Sequence, residues 1–372
     1  MGTVMNIEFF RNSVLSRYAI DGELLAAEPY GNGHINDTFK VEFGGEGVRE
    51  SFIFQRLNTG IFRDPEALMK NYLRVVRHIA EKLRGTPDSD RRCIRLLAAK
   101  DGSFCCRDGA GSCWRAYRFI GGVHTCDILE TAEQAYQAAR AFGEFQRLVS
   151  DLPPPRLLET IPRFHDTPSR LKDFDEALAA DPRGRASLAA PEIAFVRETR
   201  HIASRVTEAM ARGAIPERIT HNDTKLNNVL LDDRTGEGIC VIDLDTVMPG
   251  SALYDFGDMM RTCLSPAAED ETDLGAVRAR SDIFRMLVKG YLEGCRGCLT
   301  PAEMELLPFS GQLITFEIGV RFLTDFLAGD VYFKTHRSNH NLDRCRTQFT
   351  LVRRMMEKAD EFEEINREFL RK

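Results

Sequence analysis

The chain has 372 residues, 43% hydrophobic and 28% charged, with a formal net charge of −6 and a mean hydropathy of −0.29. That length supports two or three lobes and a substantial core, while the acidic balance and the lack of a long basic run argue against a nucleic-acid partner. No apolar run approaches the roughly 18 residues of a membrane span, and the opening MGTVMNIEFFRNSV shows neither a signal peptide nor, with Asn6 where Ser or Thr is required, a myristoylation site.

Residues 24–57 predict β structure: a strand over Leu24–Tyr30, a second over Thr38–Phe43 with Phe39, Val41 and Phe43 alternating, and a third over Ser51–Leu57. Between the first two lies Gly31-Asn32-Gly33-His34-Ile35-Asn36-Asp37, whose glycines allow the backbone to approach a phosphate closely. On local evidence an ordinary hairpin turn fits equally well. Asp64-Pro65-Glu66 opens a helix, with Leu68, Tyr72, Val75, Val76, Ile79 and Leu83 at helical spacing. A second hairpin is expected from Ile94–Ala99 and Phe104–Arg107, followed by a strand over Cys113–Ile120. Beyond Gly122 the pattern turns helical: Thr131–Val149, loops and short helices over 151–190, then Pro191–Arg212 ended by Gly213. Later helices are expected over Ala276–Glu293, from a capping box at Thr300, over about 308–329, and over about 342–371.

Ten cysteines raise the question of a disulfide framework. Cys93, Cys113, Cys240 and Cys263, however, lie in apolar or strand-like runs, where a reduced cysteine behaves as a small hydrophobe. Cys295-x-x-Cys298 has no second pair at zinc spacing. A reducing cytoplasm is the expected setting.

The densest cluster of special residues is His221–Asp258. His221-Asn222-Asp223, Lys225 and Asn228 precede two short apolar runs around a Gly-containing turn, and the second run ends at Asp243. A hairpin here makes Asn228 and Asp243 neighbours, with Asp223 and Lys225 on the loop before them. Such a strand end can hold a hard divalent cation and phosphate oxygens. It could also be merely solvated.

His221-x-Asp223-x-x-x-x-Asn228, a following hairpin and Asp243, placed after a glycine-loop sheet, resemble the protein-kinase-like fold. The expected class is α+β, with a small antiparallel N-terminal lobe (1–120) ending in a hinge and a larger helical lobe (121–372). Asn222 in place of arginine, Asp243-Leu244-Asp245 in place of D-F-G, and only eleven residues between Asp243 and Asp255 make the chain similar to the aminoglycoside and choline kinase-like phosphotransferases. More specifically, GNGHINDTF, FIFQRLNTGIFRDP, THNDTKLNNVLLD, CVIDLDTVMPG, YDFGDMMR and RFLTDFLAGDVYFK resemble bacterial N-acetylhexosamine 1-kinases.

The resemblance implies ATP and Mg²⁺ as cofactors and a sugar as the small-molecule partner, with neither nucleic acid nor membrane, in a monomer or simple homo-oligomer. It implies that Asp223 accepts the proton of the sugar hydroxyl or orients that hydroxyl, and that Lys225 meets the transferred phosphoryl group. Asn228 and Asp243 hold Mg²⁺. Gly31, Gly33 and Asn36 cover the phosphates, Arg56 pairs with them (Glu66 being its suggested carboxylate partner), and Arg118-Phe119-Ile120 form the adenine hinge. Asp255 braces the catalytic loop. His34, Asp245, Arg321 and Tyr332 are the expected substrate contacts, Asp245 alternatively bracing the metal site. Glu317, Arg321 and Asp325 stand four apart and could equally form an ion-pair ladder. A kinase of the same fold for choline, an aminoglycoside or methylthioribose is the near alternative, and a non-catalytic pseudokinase a more distant one.

Overall fold

Residues 7–31, 35–45 and 47–371 are described by a computed structural model. The chain divides into two compact units, one of Met1–Val123, Asp151–Pro162 and Ile242–Val247, the other of His124–Ser150, Arg163–Val241 and Met248–Lys372.

The first unit holds helix α1 (Ile7–Ser13), strands β1 (Glu23–Pro29), β2 (Asp37–Gly45) and β3 (Val48–Arg56), helix α2 (Pro65–Lys82), and strands β4 (Leu96–Leu97), β5 (Cys106–Arg107) and β6 (Cys113–Arg118). The strands form one antiparallel sheet in the order β1-β2-β3-β6-β4, with β5 also on β6. Period-two alternation sets its apolar face: Phe39 pairs with Phe54, Val41 with Phe52 and Phe54 with Ala116. Together with Trp114, these side chains pack against Phe10 and Tyr18 in one buried cluster. Helix α2 begins where Asp64 accepts the Ala67 N–H and Pro65 supplies a fixed φ. Its Asn71 donates to the Leu158 and Val247 carbonyls at 2.7 and 3.3 Å and accepts the Leu158 N–H at 3.0 Å. One buried amide thus ties both sequence-remote segments of this unit to α2.

Two local expectations are corrected here. Between the two runs expected to form the second hairpin, a turn over Lys100–Gly102 forms, with Ala99 N–H on the Ser103 carbonyl at 2.8 Å, yet β4 and β5 are two-residue strands that each pair with β6. The longer, more apolar Cys113–Arg118 strand is the better template. Cys113, expected to be reduced, forms a disulfide with Cys105, because the Arg107–Cys113 pairing returns the chain beside it.

After β7 (Val123–His124), which ends one unit and opens the other, come α3 (Ala132–Val149), α4 (Thr167–Ala180), α5 (Ala190–Thr199) and α6 (Arg205–Ala211). Strands β8 (Arg218–Thr220), β9 (Val229–Asp232), β10 (Gly238–Val241) and β11 (Met248–Gly250) then lead to α7 (Ala252–Cys263), α8 (Ser281–Cys295), α9 (Pro301–Ala328), α10 (His340–Glu357) and α11 (Ala359–Leu370). A single apolar core joins these helices through Phe142, Phe256, Phe284, Tyr291, Phe316, Phe326, Phe349 and Phe362. Helices α3 and α8 meet at backbone distance: a Cβ on Gly290 would stand 2.3 Å from the Tyr136 carbonyl oxygen, and one on Gly294 would stand 2.2 Å from that of Arg140.

The helices differ from expectation in several places: α7 stands outside the expected set, α8 starts at Ser281 rather than Ala276, and three differences concern breaks. Pro191–Arg212 is broken by a 3₁₀ turn at Arg200–Ile202, and both halves bury apolar residues in the same core, so the periodicity continues across the break. Helix α9 runs uninterrupted through Pro308, whereas the C-terminal helix stops at Glu357 and restarts at Ala359.

Candidate active site

The hairpin expected around Asp232–Gly238 is present. β9 and β10 are antiparallel, with Val229 opposite Val241, so Asn228 immediately precedes the paired region and Asp243 follows it by two residues. Asn222 and Asp243 both adopt positive φ, 64° and 57°. Left-handed backbone at non-glycine residues is uncommon and collects at functional turns.

In the second unit, the loop after β8 is fixed from three sides. Asp255, near the start of α7, accepts the His221 and Asn222 N–H groups at 2.9 and 2.7 Å, and its carbonyl accepts the Thr224 hydroxyl at 2.6 Å. Burial pushes its carboxyl up to about 6, against His221 and those two N–H groups. The expected brace is therefore visible in the bonds. The His221 ring lies edge-on to Phe142 and Phe145 at 5.4 and 5.7 Å, and its Nδ1 accepts the Asp223 N–H at 3.3 Å. The third side is a buried ion pair: His165 bonds Glu317 of α9 through Nδ1 at 2.8 Å and the Asn222 carbonyl through Nε2 at 3.2 Å. Thr167 donates to the other Glu317 oxygen at 2.6 Å.

This support presents Asp223 and Lys225, whose charged atoms are 2.8 Å apart. Burial works to raise the Asp223 carboxyl, but the Lys225 ammonium, then His221 and Arg261, hold it below the ordinary range. Asp223 raises the Lys225 ammonium in turn. The Asn228 amide nitrogen donates to the Asp223 carbonyl at 2.8 Å and to Oδ2 at 3.2 Å. Its amide oxygen is the atom with the chemistry to meet a cation. Asp223, Lys225 and Asn228 are thus brought together.

Arg321 lies among aromatic rings, its guanidinium carbon 5.6 Å from Phe164, 6.0 Å from Tyr332 and 5.6 Å from Phe333. Burial pushes its pKa down. The ion-pair ladder along α9 does not form: Glu317 is held by His165 and Thr167, and Asp325 accepts the N–H groups of Val331, Tyr332 and Phe333. Asp325 thereby fixes the turn that carries Tyr332, whose ring stays exposed.

In the first unit, Arg56 pairs with Asp37 across β2–β3, at 2.8 Å from Nε, correcting the suggested Glu66 partner. Direct strand neighbours meet more readily than a residue ten positions along the chain. Asn36 donates to Asp245 at 2.6 Å and accepts the Asn58 N–H at 2.9 Å. Asp245, expected as a substrate contact, is only 2% exposed. It forms a bidentate pair with Arg115 (3.0 Å for Nη2–Oδ2), and Arg115 also bonds Gln55 and lies 4.4 Å from the Tyr72 ring. This carboxylate braces the segment containing Asp243. The Arg118 and Phe119 N–H groups, expected at an adenine hinge, donate to the Arg95 and Ser51 carbonyls at 3.0 Å each. Gly31 has φ 77°. Gly33 and His34 lie outside the described residues.

Sequence reasoning missed Arg115, His165 and Thr167. Arg115 had a signal, an ionisable residue on the Cys113/Tyr117 face of a strand with no solvated side; His165, in a proline-rich loop, had none.

An antiparallel N-terminal sheet, a mostly helical remainder and a braced His221–Asn228 loop define the protein-kinase-like α+β fold. A family model for the phosphotransferase enzyme family matches residues 26–289, more than half of the chain, which therefore belongs to that family; it is a small-molecule kinase-like phosphotransferase. Solved structures agree in fold. An aminoglycoside phosphotransferase from Alicyclobacillus acidocaldarius subsp. acidocaldarius DSM 446 is 12% identical with a TM-score of 0.61, over 100% of this chain and 98% of that one. A spectinomycin phosphotransferase in complex with ADP and spectinomycin is 13% identical with a TM-score of 0.54, over 96% and 99%. A choline kinase from Cryptosporidium parvum Iowa II is 14% identical with a TM-score of 0.54, over 90% and 90%.

Proposed function

We propose that this phosphotransferase moves the γ-phosphate of ATP to the anomeric hydroxyl of an N-acetylhexosamine, giving the sugar 1-phosphate. The observation that carries phosphoryl transfer is the Asp223–Lys225 pair on a loop immobilised by Asp255 and by His165–Glu317. Phosphoryl transfer requires an aligned hydroxyl and charge neutralisation, with little covalent work by the protein. Asp223, held anionic, orients the hydroxyl and accepts its proton as the bond forms; Lys225 meets the transferred oxygens. Gly31, Gly33 and Asn36 cover the phosphates, Arg56 pairs with them, and the 118–120 segment borders adenine.

Asn228 and Asp243 would hold Mg²⁺. One carboxylate and one amide oxygen suit an ion that keeps several waters and binds substrate phosphates. Such an ion needs no all-protein cage, and no group of three His, Cys, Asp or Glu that could hold a metal gathers among the described residues. When bound, the ion neutralises charge on the phosphates.

The sugar assignment rests on the sequence motifs and on the Arg321 surroundings. A guanidinium flanked by aromatic rings can donate to ring hydroxyls or an acetamido oxygen while a ring stacks on the sugar. It repels the ammonium of choline or an aminoglycoside. Arg321, Tyr332 and His34 are the proposed sugar contacts, with Asp245 keeping the neighbouring segment in place. A panel of N-acetylglucosamine, N-acetylgalactosamine, choline, ethanolamine, methylthioribose and aminoglycosides, with ATP and Mg²⁺, tests this reading. Turnover of an N-acetylhexosamine above all others is expected; turnover of another alcohol alone refutes the sugar, and no turnover of any favours a binding role.

A further inference from the structure

The Cys295-x-x-Cys298 motif has no part in phosphoryl transfer, yet the structure gives it a definite geometry. Cys295 is the last residue of α8 and is buried. Arg296 and Gly297 both turn through left-handed backbone, φ 48° and 79°. The turn closes with the Cys298 N–H on the Cys295 carbonyl at 3.1 Å, which sets the two cysteines at either end of one tight turn. Cys298 is half-buried beside the exposed Arg296 and Gly297, whereas Cys295 is buried. Arg218 secures the turn by donating to the Cys298 carbonyl at 2.7 Å while clamping Glu303 at 2.5 and 2.6 Å. The same arginine begins β8, the strand that enters the His221–Asn228 loop.

We propose that Cys295 and Cys298 form a thiol–disulfide modification site for low-molecular-weight disulfides, with Cys298 as the attacking sulfur and Cys295 as the resolving one. The neighbouring Cys295 thiol, and then Arg218 and Arg147 acting against burial, hold the Cys298 thiol below its ordinary range, while burial holds Cys295 well above it. The thiolate is the reactive form, so the less buried cysteine is also the more reactive one. In the first step the Cys298 thiolate attacks one sulfur of R–S–S–R, forming a mixed disulfide and releasing one thiolate, which takes up a proton. Cys295 then gives up its proton and attacks Cys298 Sγ, closing the internal disulfide and releasing the second thiol. The protein loses two electrons and two protons, and one disulfide becomes two thiols.

Cys126 provides an internal comparison. It too is half-buried, but burial, Glu130 and Asp127 raise its thiol. Reduced full-length protein is incubated under native conditions with oxidised glutathione, quenched by alkylation at intervals and peptide-mapped. The 295–298 peptide is expected to lose two hydrogens about tenfold or more faster than Cys126 gains glutathione, with dithiothreitol reversing it. In Cys295→Ala the reaction should stop at a glutathionyl adduct on Cys298. Modification of Cys126 while 295–298 stays a dithiol overturns the proposal on the unmutated protein alone. So does a folded Cys295→Ala variant without an adduct on Cys298.

Discussion

The chemistry turns on how Asp223 is kept anionic. A carboxylate with a depressed pKa is a weak base, so it serves mainly to align the hydroxyl and to receive its proton late. Asp223→Asn should lower kcat by about 10²- to 10⁴-fold with a smaller change in KM. Protonation of Asp223 silences it as pH falls through its lowered folded value. Lys225→Ala removes the main charge holding that value down, so the acid limb of the kcat/KM profile should move to higher pH; an unmoved limb separates Lys225 from this role. His165 and Glu317 act one contact behind. His165 is raised by Glu317 against the opposing effect of burial, so its contribution to stability is complete below 6.5 and is lost as pH rises through the folded value. Glu317, also buried, is lowered by His165; its contribution is present above 4.5 and is lost as pH falls through the folded value. Glu317→Gln should therefore cost about 3–5 kcal/mol in denaturant titrations near pH 6 and distinctly less at pH 9. Equal losses at both would show that the pair's charge is immaterial.

Among the elements, the contact between α3 and α8 is the least forgiving. Gly290 and Gly294 lie against carbonyl oxygens of the partner helix, and backbone cannot swing aside as a side chain can. Gly290→Ala should destabilise by about 1–3 kcal/mol or more, despite alanine's better helix propensity; a stabilised variant in thermal unfolding would contradict this packing. The sequence made the strands legible wherever alternation was strong, as at Phe39–Val41–Phe43, and made helix starts legible at Asp64, Thr131 and Thr300, where a side chain caps the N-terminus. It concealed the ends and breaks at Arg200 and Lys358, because helices on either side of a kink bury the same kind of residue. Pro308 misled for the opposite reason: a proline inside a helix forfeits one i→i−4 bond, yet α9 buries apolar residues on both sides of it and continues. At the site, spacing alone found Asp223, Lys225 and Asn228, which are close in sequence. Arg115–Asp245 and His165–Glu317 are 130 and 152 residues apart, and no local pattern encodes such pairs.

For the molecule as a whole, the family model makes the chain a phosphotransferase, its α+β architecture matches solved structures in fold, and the acceptor is where the proposed function is tested most sharply. An N-acetylhexosamine has several hydroxyls, but only one is lost on conversion to the methyl glycoside. The most direct measurement is therefore ³¹P NMR of the product formed from ATP, Mg²⁺ and N-acetylglucosamine or N-acetylgalactosamine, run beside the corresponding methyl glycosides. The account predicts a sugar 1-phosphate from the free sugars and no phosphorylated product from the glycosides. Equal phosphorylation of the methyl glycosides, or a phosphate on any other hydroxyl, would contradict it.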